Sequence, residues 1–499
     1  MRTDVQTSSG NRGQASPTPG TETRGTGAPA APSATYRRYH LPAEFAPDVV
    51  RHPHRFRVRV RKPRLAGLLL RELLHYGPRP KVLLSRPCIY GVFSGPVGGF
   101  APREHLCVGC LRCTTEYPEV VQIERNPEHE ALGDGYVRPE WVDAVVYEAR
   151  TGRIPVRGAG YRGPFGGPGW DGMWTDMSEI VRPTRDGIHG REWISTVVDV
   201  GSRPPFLEFD ASGEPRGPLP KVVTLPLPLL FDVPAPSARL DRVVVSTAEA
   251  ARVAGTLAVL PPDAIARCPD PGPHLAPLVR GTERDALAAL GFPPRVVELA
   301  DADAAAVREV EAAYPDAVVA LRLSLGPEPG RAVRELVDAG VRVFHLVTDY
   351  HGRTADGRFV MDALLEVHDT LVAARCRDGV TLLGSGGIVL AEHVPKAILC
   401  GLDAVALDVA AYLALQARME GECRDRESSR FAFPPFDPAW GARRLVNLLA
   451  AWRDQLLEVL GAMGMREVRR LRGERGRAMF QRDLEREAFS GIPGYDGDA

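Results

Sequence analysis

The sequence predicts an α/β protein built on a (β/α)8 TIM barrel, preceded by an irregular region with a cysteine cluster and followed by helices. Three observations predict it. After Pro220, eight short apolar or β-branched runs alternate with amphipathic stretches. A glycine turn, Gly384-Ser385-Gly386-Gly387, directly follows the seventh run. Before Pro220 the periodicity is absent, and three cysteines fall within seven residues. Near-continuous apolar strands separated by helices imply a parallel sheet buried on both faces. Eight such units favour a closed barrel, with an open doubly wound sheet as the alternative.

In chain order, residues 1–35 are rich in Gly, Ser, Thr, Pro and Ala. Such a segment buries too little apolar surface to offset its ordering entropy, so a disordered tail is expected. Residues 36–160 form the cysteine-bearing region, with an amphipathic stretch from Leu65 to Leu74. Residues 161–220 lead into the barrel; the glycine-rich loop Gly158–Gly172 with Tyr161, Phe165, Trp170 and nearby Trp174 is expected to pack on it. The barrel spans 221–436, with strands at Val222–Phe231, Val243–Ser246, Thr256–Leu260, Val296–Leu299, Val318–Leu323, Val341–Leu346, Val380–Leu383 and Ala404–Leu407. Helices are expected at Ala300–Ala313, Pro329–Ala339, Val360–Ala374 and Ala391–Leu399. Residues 437–499 hold two further helices and a tail, the first marked by Leu445, Leu448, Leu449, Trp452 and Leu456 at helical spacing.

The 499 residues carry 62 Lys and Arg against 63 Asp and Glu, a net charge of -1. A balance this even demands no polyanionic partner, so nucleic acid is not expected. The longest apolar runs contain prolines and fall short of the roughly 20 residues that span a bilayer. Residues 1–35 lack an apolar signal core, so a cytoplasmic protein with no membrane partner is expected.

Three constellations can carry chemistry. Glycines at a strand's C-terminal end let backbone N–H groups approach a phosphate, and the loops after strands seven and eight of a barrel are a common place for one. Ser385, Gly386 and Gly387 are the candidates, with Asp408 ending the eighth strand; a plain tight turn is the alternative. The run Cys107-Val108-Gly109-Cys110-Leu111-Arg112-Cys113-Thr114-Thr115-Glu116-Tyr117-Pro118 matches the ferredoxin spacing, with Tyr117 in place of the fourth cysteine. It suits a three-iron cluster, or a four-iron cluster whose fourth ligand is Cys88. Zinc, with His105 in reach, is the competing reading. Finally, Arg322 ends the fifth strand, His345, Asp349, Tyr350 and His351 lie at or after the end of the sixth, and Asp232 follows the first. These are the positions where barrels place working groups. The charged segment Asp176–Glu192, with Arg182, Arg185, His189 and Arg191, is a solvated loop or lines a site.

The chain resembles the glutamate synthase family through Ser385–Ile388 (SGGI), Ala391–Asp408 (AEHVPKAILCGLDAVALD), Leu456–Gly473 (LLEVLGAMGMREVRRLRG) and Ile188–Gly201 (IHGREWISTVVDVG). The resemblance implies an aldolase-type, FMN-binding barrel that makes glutamate from 2-oxoglutarate and ammonia. Electrons would come through an iron–sulfur cluster (3Fe-4S or 4Fe-4S) from ferredoxin or a nicotinamide-dependent reductase subunit. Ser385, Gly386 and Gly387 would hold the FMN phosphate, helped by the loop after Leu407. Arg322, His345 and His351 would surround the flavin, with Arg322 or Arg353 gripping the substrate carboxylate. The chain begins Met1-Arg2 rather than with a processed cysteine, so ammonia is taken directly or from a separate glutaminase subunit. Against the family pattern, the place of a glycine-rich stretch after strand six reads Thr348–Phe359 (TDYHGRTADGRF), no arginine follows Ile388, and Cys423 alone remains of a later cysteine-rich segment. These departures leave room for another amino or 2-oxo acid, or for a barrel serving as a subunit of a synthase.

Overall fold

Eight parallel strands close into a barrel: β1 (Leu229–Phe231), β2 (Ala258–Leu260), β3 (Leu275–Arg280), β4 (Val296–Ala300), β5 (Val318–Ser324), β6 (Val343–Val347), β7 (Thr381–Ser385) and β8 (Ala404–Leu407). The last pairs back onto the first through Val405↔Leu229 and Leu407↔Phe231. This computed structural model describes residues 39–77, 88–155, 166–176, 194–204, 206–216, 219, 221–280 and 285–492. The expected tail, Tyr161, Phe165, Arg182, Arg185, His189 and Arg191 lie outside the described residues. Strands β6, β7 and β8 are buried at every position, as strands covered on both faces require.

Helices form close to the expected stretches, at Ala304–Ala313, Pro329–Asp338, Val360–Ala373 and His393–Leu399. The expected strand Val243–Ser246 is instead part of the helix Asp241–Ala254. There Val243, Val244, Thr247, Ala248 and Ala251 are buried, so helical periodicity over fourteen residues overrides a local β-branched run. The true third strand, Leu275–Arg280, was not expected because it contains Pro277, which has no N–H for a ladder. Pro277 falls where pairing with β2 (Leu275–Pro277) hands over to pairing with β4 (Leu278–Arg280), so it interrupts neither ladder. The single strand expected over Val222–Phe231 is two. Lys221–Leu225 pairs antiparallel with Val198–Ser202, and beyond Pro226 and Pro228 the chain enters β1. That two-stranded ribbon lies at the start of β7, where the Thr381 hydroxyl donates to the Gly201 carbonyl at 2.7 Å and accepts from its N–H at 3.2 Å. A Cβ on Gly201 (φ +145°) would strike the Lys221 carbonyl.

Ahead of the barrel, Phe56–Val60 pairs antiparallel with Val121–Arg125. Val58, Val92, Val120 and Val121 form a small core there, against which Cys88, Cys107, Cys113 and Tyr117 pack. The helix Pro139–Thr151 buries Trp141, Val142, Val145 and Ala149, largely against the long helix Pro438–Ala462. From that long helix the buried Arg444 donates to the Ala46 carbonyl (3.1 Å) and the Asp48 carboxylate (2.9 Å). Asn447 donates to the Glu44 and Ala149 carbonyls. Trp170 is buried beside Phe359 and His393, and Met173–Thr175 pairs with Ala478–Phe480. His40–Ala499 forms one compact unit. No helix among the described residues is long and apolar enough to cross a membrane.

One clasp in the cysteine-bearing region sets a pH dependence. Asp143 lies 2.7 Å from His52 Nε2 and 2.9 Å from His129 Nε2. Burial alone would raise its pKa, but the two imidazoles outweigh burial and bring it down to about 2. A carboxyl lowered in the folded state contributes stability above its unfolded pKa and loses it as pH falls through the folded value. Between about pH 5 and about pH 3, the wild-type protein should lose roughly 1 kcal/mol more stability in urea than Asp143→Asn. Equal losses in the two proteins would remove the clasp.

Candidate functional site

The C-terminal mouth of the barrel holds a buried ion network. Glu298 points inward from β4, Arg322 from β5 and His345 from β6, while Asp232 follows β1 and Asp408 follows β8. Arg322 donates to both Asp232 oxygens at 2.8 and 3.1 Å and to Glu298 at 2.7 Å. His345 Nδ1 lies 3.0 Å from both Glu298 oxygens, and its Nε2 is buried without a hydrogen-bond partner among the described residues. Arg426, from the segment after β8, completes the network on Asp232 and Asp408, each at 2.8 Å.

Burial would raise the pKa of Asp232, but Arg322, His345 and Arg426 hold it well below the usual carboxylate range. Glu298 is lowered in the same way, burial being outweighed by His345 and Arg322. Asp408 goes up, because burial there outweighs Arg426. The balance is three carboxylates against two guanidiniums, so the network offers no surplus positive charge.

Beside it lies a cavity of about 1160 Å³, walled by the ends of β3 to β6 and by the loops after β1, β6 and β8. Four arginines besides Arg322 and Arg426 line it. Arg280 is paired with Asp301 and Arg424 with Asp349. Arg239 bonds the Pro234 carbonyl and Arg353 the Gly357 carbonyl; neither meets a carboxylate among the described residues. Arg353 also lies over the Phe359 ring, 5.6 Å from its centroid.

Of the three residues expected to surround a ligand, Arg322 alone lines this cavity. Its guanidinium donates to Asp232 and Glu298 and its side chain is 11% exposed, the placement of a strut at the cavity wall. His345 is fully buried behind it. His351 faces the N-terminal region, 2.9 Å from Asp134 and 3.5 Å from Glu422, with Tyr136 stacked on its ring. Asp134, His351 and Glu422 are within 4.8 Å of one another.

The expected phosphate cradle is also used internally. Gly387 donates its N–H to the Tyr350 carbonyl, and its own carbonyl accepts from Tyr136 Oη (2.6 Å) and Trp170 Nε1 (2.9 Å). A Cβ on Gly386 would strike Thr348, and one on Gly387 would lie 2.6 Å from Gly352 Cα. The absence of a Cβ at these glycines lets the loop after β6 approach this closely. Ser385, Gly386, Gly387 and Asp408 do not line the cavity.

The cysteines do come together. Burial pushes the Cys107 thiol up, and Cys113, Cys88 and Cys110 lie close enough to push it further. Burial also raises Cys113, with Cys110 and Cys88 adding to it. Gly109 (φ +67°) and Leu111 (φ 61°, ψ 2°) are both left-handed. Left-handed residues within a tight turn direct successive N–H groups to one side, the backbone pattern of anionic and iron–sulfur sites. A non-glycine residue in that region is strained, and the strain at Leu111 falls between two of the thiols. His105, the expected zinc partner, lies beside His54 at 5.8 Å between ring centroids.

Sequence reasoning missed Glu298, although a charge inside an otherwise apolar strand was a visible signal. It missed Arg426, whose charged neighbours in Glu420–Arg430 hide it. Fold and site define a (β/α)8 barrel protein with an arginine-lined mouth and a four-thiol region packed in the same unit. A family model described as "Conserved region in glutamate synthase" matches residues 350–466. The archaeal-type glutamate synthase (NADPH) of Dehalococcoides mccartyi is 24% identical over 443 residues, covering 75% of this chain and 87% of that protein. The archaeal glutamate synthase (NADPH) of Archaeoglobus fulgidus is 24% identical over 446 residues, covering 74% and 86%. Among solved structures, the flavin-binding domain of baker's yeast flavocytochrome b2 aligns at TM-score 0.40 and 12% identity, covering 62% of this chain and 76% of that one. The chain is thus similar to glutamate synthases, over residues 350–466 by the family model and over about three quarters of its length at 24% identity.

Proposed function

We propose that this protein is a cytoplasmic oxidoreductase of the glutamate synthase type, forming glutamate from 2-oxoglutarate and ammonia with electrons entering through an iron–sulfur cluster on Cys88, Cys107, Cys110 and Cys113. The observation that carries the reading is the four-thiol cradle, with its left-handed turns at Gly109 and Leu111, in one unit with an arginine-lined barrel mouth. Relatives named glutamate synthase (NADPH) align over about three quarters of the chain. A cluster held there would accept single electrons from ferredoxin or a nicotinamide-dependent reductase subunit.

In the mouth, Arg353 is placed to hold a substrate carboxylate, since its guanidinium meets no carboxylate among the described residues. Arg322, fixed by Asp232 and Glu298, holds the floor in place. FMN, which the resemblance implies, would supply hydride transfer when bound. The cavity has room for it, but Ser385, Gly386 and Gly387 do not form its phosphate cradle. A second reading, a subunit that turns nothing over, is favoured by the internal pairing of both Arg322 and Arg426.

Anaerobic purification tests both readings. Roughly three or four irons per chain are expected, with broad charge-transfer absorption, and Cys110→Ser should lose most of that iron. Glutamate should form from 2-oxoglutarate and ammonia under a reduced low-potential donor. Stoichiometric zinc without iron overturns the cluster. Iron without turnover of any 2-oxo acid leaves the subunit reading.

A further inference from the structure

At the open ends of β7 and β8, the chain fills with its own atoms the place where a barrel would hold a ligand phosphate. Arg426 enters there from the rim. Its Nη2 donates to Ser385 Oγ at 3.1 Å and to Asp408 at 2.8 Å, its Nη1 to Asp232 at 2.8 Å, and its Nε to the Thr348 carbonyl. Its guanidinium stacks over Tyr350, 4.7 Å from the ring centroid.

Three of the backbone donors that follow β7 are committed as well. Gly387 N–H bonds the Tyr350 carbonyl. Val389 and Leu390 both direct their N–H groups at His393 Nδ1, at 3.2 and 3.4 Å. The helix Val409–Ala414 is capped by Asp408 itself, whose carboxylate accepts from Val409 N–H at 2.6 Å. A phosphate dianion brought to Ser385 would meet two buried carboxylates, Asp408 and Asp232, which already occupy Arg426 and, on the far side of Asp232, Arg322. Both steric room and charge oppose it.

We propose that Arg426 and Asp408 are an internal substitute for a ligand phosphate, so that the β7–β8 end of this barrel binds none and any flavin in the mouth is held without contact between its phosphate and this end. The inference rests on the family reading only for the choice of flavin as probe. Flavins with and without the phosphate separate the possibilities, because only the phosphate differs between FMN and riboflavin.

The experiment titrates the flavin-free full-length protein with each flavin, followed by quenching of flavin fluorescence. Dissociation constants within about threefold of each other are expected. FMN binding at least about tenfold tighter than riboflavin, with the preference weakened by Ser385→Ala and strengthened by Asp408→Asn, overturns the proposal. The same preference unmoved by either substitution places the phosphate elsewhere and upholds it. If neither flavin binds, the flavin part of the proposed function fails. The closed end is then read from the 31P line width of inorganic phosphate: no broadening upholds it, and broadening relieved by Ser385→Ala overturns it. Circular dichroism checks that both variants are folded.

Discussion

Asp232→Ala lowers the free energy of unfolding by about 3 to 5 kcal/mol, the range seen when one partner of a buried ion pair is removed. Asp232 accepts from Arg322 through both oxygens and from Arg426 through one, and its side chain is fully shielded from water. Removing it leaves two guanidiniums facing each other in a low-dielectric interior, with Glu298 and Asp408 as their remaining counter-charges. Asp232→Asn should cost clearly less, because the amide oxygen still accepts one bond and little volume is lost. Urea unfolding of the three proteins decides. A loss under about 1 kcal/mol for the alanine variant would mean that the arginines reach water or new partners, and the strut role of Arg322 would go with it.

Gly387→Ala is the second large effect, at roughly 3 kcal/mol or more. The residue has φ +72°, where a side chain is strained, and its Cβ would lie 2.6 Å from Gly352 Cα and 3.1 Å from Gly352 N. Both obstacles are backbone, so relief requires the β6 and β7 loops to part. The strain alone accounts for about 1 to 3 kcal/mol, and the displaced backbone adds to it. Gly357→Ala is the control, since it has a comparable φ of +86° with nothing within 4 Å. It should show the strain without the collision. Parting the loops also misaligns the Gly387 carbonyl, which Tyr136 and Trp170 share. Hydrogen exchange over residues 134–137 should therefore quicken in Gly387→Ala and not in Gly357→Ala. Equal stability losses in the two variants would remove the collision from the argument.

The barrel was legible because its strands are near-continuous apolar runs, and the pattern survived the misplacement of one strand. The errors had physical causes. Val243–Val245 reads as a strand locally, yet the spacing of Val244, Thr247, Ala248 and Ala251 makes it helix. Leu275–Arg280 hid behind Pro277, whose missing donor is harmless only where two ladders meet. At the site, the gathering of the cysteines was legible because three of them fall within seven residues. The roles of Arg322 and the β7 glycines were not. Whether an arginine is free depends on Asp232 and Glu298, 90 and 24 residues away. Whether a glycine turn receives a ligand or a loop depends on Gly352. Position along a strand shows where a side chain emerges, and only the tertiary pairing shows what it meets.

The staples from the helix Pro438–Ala462 to the front of the chain impose an order on biosynthesis. Asn447 closes onto the carbonyl of Ala149, 298 residues earlier, and Arg444 onto those of Ala46 and Val146. At about 5 to 20 residues per second on the ribosome, those partners wait roughly 15 to 80 seconds for their closing helix. Until then the apolar face of Pro139–Thr151, with Trp141, Val142 and Val145, has no helix to lie against. During translation the nascent chain is thus left with an uncovered apolar face and an unfinished front half. Chaperone capture of that face belongs to the interval before the C-terminal helix is released, and a chain that stalls before Arg444 keeps the face open to proteolysis.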